Sequence, residues 1–156
     1  EQLLDAVPTD FCVGVGGYPE KHFEAPNLKV EVERVKQKID CGAHYVVTQM
    51  FYDNRFYFEF VKKCREAGIT VPIVPGLKIL TTKAHLSTIP RNFYISIPEE
   101  LSNEVMEAKD EHAMEIGAKW AAKQSEELIN NGAPSLHFYI MQSAKPIIKM
   151  FEHLKI

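Results

Sequence analysis

Four short runs along the chain are apolar almost without interruption: residues 11–16, 45–51, 71–77 and 136–141. Each is rich in β-branched or aromatic residues and lacks the alternation of a strand with one wet face. Strands covered on both faces need such runs, so the pattern predicts a parallel sheet. Between the runs the apolar period becomes that of a helix. Leu28, Val32, Val35 and Ile39 recur after Asn27, a good N-cap, and Gly42 suits the helix end. Phe56, Phe60, Cys64 and Ala67 form the next stripe, closed by Gly68, with Glu59 and Lys63 four apart on the solvent side. A longer helix is predicted over 111–130, with Ala113, Ile116, Trp120 and Leu128 inward and Gly132 behind it. Ser143 caps a last helix with Pro146 in its first turn and Ile147, Met150, Phe151 and Leu154 as its apolar face. Residues 78–110 are less regular. Pro90 and Pro98 divide them into a short helix after Thr82, a connecting loop and another helix over 98–106.

Strand–helix alternation, four times over and with extra helical material before the last strand, is an α/β pattern with right-handed crossovers. Two architectures accommodate it: an open, doubly wound sheet of four strands, or half of an eight-stranded (β/α) barrel. A complete barrel takes about 250 residues, and this chain has 156.

With 46% hydrophobic and 25% charged residues, the composition is that of one globular domain over 1–156, without linker or repeat. The net charge of -3 leaves no basic footprint for nucleic acid, and no run of Lys and Arg or long apolar stretch points to a membrane. Cys12, Cys41 and Cys64 are an odd number without close spacing, which predicts reduced, packed thiols in a cytoplasmic protein rather than a disulfide framework. The chain opens Glu1-Gln2-Leu3-Leu4, without Met or a signal segment, as expected of a fragment or a processed product.

In either architecture chemistry collects where strands hand over to helices. Gly14-Val15-Gly16-Gly17-Tyr18-Pro19-Glu20-Lys21-His22 follows the first strand. Its glycines are wrongly spaced for a dinucleotide fingerprint, but they let a flat ring approach the backbone, and Tyr18 and His22 can stack on such a ring or bond to it. A tight loop with a satisfied histidine fits the same residues. Gln49, in Thr48-Gln49-Met50-Phe51, is a polar side chain in an apolar strand. Its amide can donate and accept at once, as a pterin or nicotinamide edge requires, or it can bond to neighbouring backbone. Pro75-Gly76 reads as a sharp turn at the end of the third strand. His137 and Tyr139 share one face of the fourth, where a packed core histidine is the simpler expectation. No G-x-S-x-G elbow, P-loop or H-E-x-x-H occurs, and His22 with Glu24, or His44 with Cys41, is too sparse a group for a metal.

Taken in order, these strand ends resemble the methylenetetrahydrofolate reductase family over about residues 11–154. The segments that carry the resemblance are Gly17-Tyr18-Pro19-Glu20-Lys21-His22 with Glu24-Ala25, Gly42-Ala43-His44-Tyr45 leading into Thr48-Gln49-Met50-Phe51, Pro72-Ile73-Val74-Pro75-Gly76, and Leu136-His137-Phe138-Tyr139. The resemblance implies the second half of a (β/α)8 TIM-type barrel, strands five to eight, with the N-terminal half absent. It implies FAD as cofactor, NADH or NADPH as hydride donor, and reduction of 5,10-methylenetetrahydrofolate to 5-methyltetrahydrofolate for methionine supply. By position, Tyr18, His22, Ala25, Glu31 and Lys38 are implied FAD contacts, Arg34 and Gln37 lie on the same stretch where the family residues differ, and Gln49 and His85 are implied substrate contacts. No residue matches the family's general acid, so the segment is expected to hold no catalytic group and to be inactive alone. Where many members carry Leu-Asn-Arg after the last strand, Met141-Gln142-Ser143 stands here, and Lys145 is the candidate replacement cation. Open apolar edges predict that the missing half, or a second copy, covers the sheet. Two other readings compete: a non-catalytic flavin- or folate-binding half-barrel or interaction module, and an unrelated α/β domain binding a nucleotide at its strand ends.

Overall fold

The computed structural model describes residues 10–155, and the opening Glu1-Gln2-Leu3-Leu4 lies outside them. The elements run β1 (Gly14–Gly17), α1 (Leu28–Asp40), β2 (Tyr45–Met50), α2 (Asn54–Glu66), β3 (Ile73–Leu77), α3 (His85–Phe93), α4 (Glu99–Glu107), one turn of 3₁₀ helix (Asp110–His112), α5 (Ala113–Asn130), β4 (His137–Phe138) and α6 (Lys145–Phe151). The α1 start is set where Asn27 takes an extended conformation and its Oδ1 accepts from Val30 N–H at 3.0 Å. Gly42, Gly68 and Gly132 all have positive φ just beyond helix ends. Asn27→Ala is expected to cost about 1 kcal/mol, measurable as a lower denaturant midpoint at unchanged slope.

All four strands are parallel, and their spatial order is β1-β2-β3-β4. That order decides between the two architectures. A doubly wound sheet reverses direction at a switch point and puts helices on both faces. Sequential order with right-handed crossovers puts every helix on one face, and the sheet is therefore a section of a barrel wall.

The helix-side core joins Val32 and Val35 of α1, Val46 of β2, Phe60 and Cys64 of α2, Ile73 and Leu77 of β3, and Leu128 of α5. Tyr57 O–H donates to the Ile73 carbonyl at 2.7 Å inside it. Burial pushes the Cys64 thiol up to about 12, so it behaves as a packed apolar group. A second cluster, with Met50, Tyr52, Leu80, Ile89, Leu101 and Ile116, fixes the extra helices α3 and α4 and the start of α5 beside the C-terminal strand ends. Gly117 of α5 lies so close that a Cβ there would stand 1.9 Å from the Leu80 carbonyl oxygen.

Among the described residues the other face of the sheet is less covered. Along β2, Val46, Thr48 and Met50 are buried while Tyr45, Val47 and Gln49 are only partly covered. The apolar runs predicted strands covered on both faces. One face lacks its cover because a barrel interior is filled by side chains from the opposite strands, and these residues do not include them.

Several local expectations are corrected. β1 and β4 are shorter than the apolar runs because each has one neighbour in the sheet. Phe11 and Val13 flank one edge and Ile140 and Met141 the other, all exposed. Pro75-Gly76 is no turn; both residues lie inside β3. Pro75 is tolerated there because the pairing skips it, at a register shift between Val47 and Met50. Cys12 and Cys41 are exposed, and only Cys64 is packed. On α6, Met150 is buried but Phe151 faces outward. Among the described residues no helix is long and apolar enough to cross a membrane.

Candidate functional site

The C-terminal end of β1 runs into a tight loop. Lys21 takes a left-handed conformation, φ 66°, and its N–H returns to the Tyr18 carbonyl at 2.9 Å. Ala25, buried beneath the loop, donates its N–H to the His22 carbonyl. Glu31, buried in the first turn of α1, accepts from the His22 N–H at 3.3 Å. The loop thus holds the His22 ring edge-on to Tyr18, with centroids 4.7 Å apart. His22 Nδ1 accepts from the Glu24 N–H at 3.3 Å, which leaves Nε2 as the protonated, donating nitrogen of the neutral ring. Phe23, next to it, stacks on Tyr94 at 4.9 Å, and Tyr94 is itself the left-handed residue ending α3.

Beside that loop β2 leaves regular pairing, and side chains bond to the backbone there. Met50 N–H donates to Gln49 Oε1 at 2.9 Å, Gly76 N–H to Thr48 Oγ1 at 2.9 Å, and Tyr139 O–H to the Thr48 carbonyl at 2.8 Å. The Gln49 amide is therefore half engaged. Its oxygen serves its own chain, and its NH2 remains as a donor on the open face. Burial raises the Tyr139 pKa and the nearby Tyr18 phenol adds to the rise, so Tyr139 stays a neutral donor.

Two cavities open at these strand ends. The first, about 170 Å³, is lined by Tyr18, His22, Phe23, Gln49, Asn92, Phe93 and Tyr94. The second, about 270 Å³, lies between the ends of β3 and β4 and is lined by Lys78, Thr81, His85, Tyr139, Gln142 and Ser143 together with apolar Ile79, Ile140, Met141, Pro146 and Ile147. Burial lowers the His85 pKa and the Lys78 ammonium lowers it further. Thr81 N–H donates to His85 Nδ1 at 3.2 Å, so this ring too presents Nε2–H.

The fold thus brings Tyr18, His22 and Gln49 to one cavity and places His85 in the other. Glu31 and Ala25 brace the loop from behind. Lys38 lies outside both cavities, donating to the Gly16 carbonyl at 2.9 Å beside Arg34 and Gln37. Lys145 is exposed and lines neither. His137 is exposed, not packed in a core, with its ring 4.7 Å from Tyr139. The residues that sequence reasoning missed are Lys78, Gln142 and the Phe23–Tyr94 pair. Lys78 is the first residue after β3, a position the apolar run ending at Leu77 marks.

The family model for methylenetetrahydrofolate reductase matches residues 2–155. Methylenetetrahydrofolate reductase 2 of Saccharomyces cerevisiae is 37% identical over 151 residues, covering 94% of this chain and 25% of the relative. Methylenetetrahydrofolate reductase 1 of Schizosaccharomyces pombe is 36% identical, covering 93% and 24%. The 5,10-methylenetetrahydrofolate reductase of Salmonella typhimurium is 30% identical, covering 87% and 47%. The chain thus spans about a quarter of the length of the fungal relatives and just under half of the bacterial one. Among solved structures, an uncharacterized protein from Clostridium thermocellum that binds two copies of 5-methyl-5,6,7,8-tetrahydrofolic acid superposes with a TM-score of 0.62 at 21% identity, over 92% of this chain and 52% of that one. At that identity the likeness is one of fold.

Proposed function

The chain belongs to the methylenetetrahydrofolate reductase family, and we propose on that footing that it is the second half of the catalytic barrel of a cytoplasmic, FAD-dependent reductase. That enzyme reduces 5,10-methylenetetrahydrofolate to 5-methyltetrahydrofolate with NADH or NADPH. The observation that carries the proposal is the convergence of Tyr18, His22 and Gln49 on one cavity at the C-terminal ends of β1 and β2, where barrel enzymes hold their substrates. The chain's own residues fit one wall of a flavin site. No atom lies within 4 Å of where a side chain on Gly16 would begin, so a flat ring can reach that backbone. Glu31 Oε1 is a buried acceptor without a partner among the described residues, suited to a sugar hydroxyl. The flavin, when bound, supplies the hydride chemistry. Tyr18 and His22 orient it, and the Gln49 NH2 donates to the ring edge of the substrate.

Neither cavity is lined by Asp or Glu. This supports a carboxylic proton donor from outside this segment, in the half that would cover the open face and the apolar edges at Val13 and Ile140. The same observation favours a second reading, a flavin- or folate-binding module without turnover. A reductase assay of the full-length gene product separates the two.

The cofactor assignment is tested by visible absorption of the full-length protein. A flavin band is expected to co-elute with it, and His22→Ala is expected to weaken retention by up to about tenfold, the worth of one hydrogen bond. A colourless protein that refuses added FAD would sink the assignment.

A further inference from the structure

The turn that follows β2 is held from outside the sheet. Regular pairing of β2 with β3 breaks between Val47 and Met50, and residues 51–53 belong to neither β2 nor α2. Side chains of α5 take over there, from one helical face at 120, 124 and 127. Trp120 Nε1–H donates to the Tyr52 carbonyl at 3.0 Å, and the Gln124 amide donates to the Phe51 carbonyl at 3.3 Å. Gln124 Nε2 also donates to Asn54 Oδ1 at 3.1 Å. Asn54 Nδ2 donates in return to the Gln124 carbonyl at 3.1 Å and to Glu127 Oε2 at 2.6 Å. Gln124 and Asn54 are only 7% and 5% exposed. Two amides buried so deeply are costly unless they are bonded. A helix that merely covers the sheet needs neither, and α5 already buries Ala118, Ala121, Ala122 and Leu128.

We propose that Gln124, with Asn54 and Trp120, is a positioning residue for Gln49. Gln49 lies just before the clamped turn, and its Oε1 is fixed by the Met50 N–H between them. Turning the backbone at Phe51 and Tyr52 therefore turns the Gln49 NH2, the proposed donor to the ring edge of the substrate. On the other side β2 is tied to β3, where Thr48 Oγ1 accepts from the Gly76 N–H. Gln49 thus sits between two anchors, one from β3 and one from α5. The second acts through backbone alone, because none of the residues lining the Gln49 cavity comes from α5. The alignment of a substrate contact is sensitive to small displacements of its support, and the buried amide pair supplies a rigid one. The proposal rests on the reading of Gln49 as a substrate contact and adds to it a residue from the outer helix layer.

The test is a double-mutant cycle of Gln124→Met with Gln49→Ala in the full-length protein. It is read as affinity for 5-methyltetrahydrofolate, with flavin retention and melting temperature followed on every variant. Gln124→Met keeps the length of the side chain and removes its donors. It should weaken folate binding about threefold to tenfold, the worth of one aligned hydrogen bond, and leave flavin retention within about twofold. In the Gln49→Ala background the same substitution should change folate affinity by less than about twofold, because the group it positions is gone. Trp120→Phe, which keeps a ring and removes the N–H, should repeat the pattern, and it carries the cycle if Gln124→Met does not fold. Losses that multiply across the cycle, or a lower melting temperature with folate affinity unchanged, would make the clamp a structural one and overturn the assignment while leaving the Gln49 reading intact. A Gln49→Ala protein that binds folate as tightly as the wild type removes the Gln49 reading, and the positioning role with it.

Discussion

Replacing Gly76 by alanine is expected to lower stability by about 3 kcal/mol or more, and the melting temperature by roughly 10 °C. A Cβ at Gly76 would stand 2.1 Å from the Thr48 carbonyl oxygen and 2.7 Å from the Tyr139 ring. Neither neighbour can give easily. The carbonyl is backbone of a fully buried residue in β2, and it is already held by Tyr139 O–H at 2.8 Å. The Gly76 N–H is tied to Thr48 Oγ1, so the two strands cannot part there without breaking both bonds. The displacement would reach the site directly, because Gln49 follows Thr48 and shares the same irregular stretch of β2. Gly16→Ala is the matched control. It lies in the neighbouring strand with open space around it, and a substitution there is expected to change stability by less than about 0.5 kcal/mol. Thermal melting of both variants in the full-length protein, followed by circular dichroism, decides the matter. Equal melting temperatures would show that the close approach of β2 and β3 does not constrain the fold.

The elements were largely legible because their signals are local. Asn27 announces a helix through its side-chain bond to Val30, and Gly42, Gly68 and Gly132 end helices by adopting the positive φ that other residues resist. The choice between a doubly wound sheet and half a barrel was not legible in the apolar pattern; the family resemblance supplied the half-barrel, and the sheet order agrees with it. Each strand–helix–strand unit is locally the same in both, and the difference lies only in which face successive helices cover. The open face was hidden for a related reason: a strand facing a barrel interior and one facing helices on both sides carry the same apolar run. In the site, Gln49 stood out because an amide is costly in an apolar strand. What could not be read was that its oxygen would be consumed by Met50 N–H, because the register shift that frees that N–H depends on β3. Lys78 was obscured by its surroundings, since nothing in Leu77-Lys78-Ile79 shows that the nearest walls carry no acid. The family resemblance supplied Tyr18 and His22 as expected flavin contacts by motif; the Glu31 and Ala25 bonds that shape their loop have no signal in the sequence.

A contact with no sequence signal at all gives the second expected result. Glu20 and Ser96 lie 76 residues apart, and the Glu20 carboxylate accepts from both the N–H of Ser96, at 2.9 Å, and its hydroxyl. This joins the Tyr18–His22 loop to the segment that follows Tyr94, across the first cavity. Glu20→Ala removes both bonds and is expected to cost about 2 kcal/mol and to loosen flavin retention together with it. Glu20→Gln keeps an acceptor for Ser96 and removes only the charge, and the charge is a liability. Burial raises the Glu20 pKa above its ordinary 4.5; the Ser96 bonds draw it back, and the Asp53 carboxylate adds to the rise. Between 4.5 and that raised value the folded protein keeps a proton that the unfolded chain has lost, so stability falls as pH rises through the window and remains lower above it. Glu20→Gln is therefore expected to melt higher than the wild type at pH 7, with the gap closing as pH approaches 4.5 and below. Glu20→Ala should melt lower throughout. Melting curves of the three proteins from pH 4 to pH 8 read both effects at once. A glutamine variant that matches the alanine variant at pH 7 would mean that the carboxylate's charge, not its geometry, holds the loop, and would reverse the sign assigned to its titration.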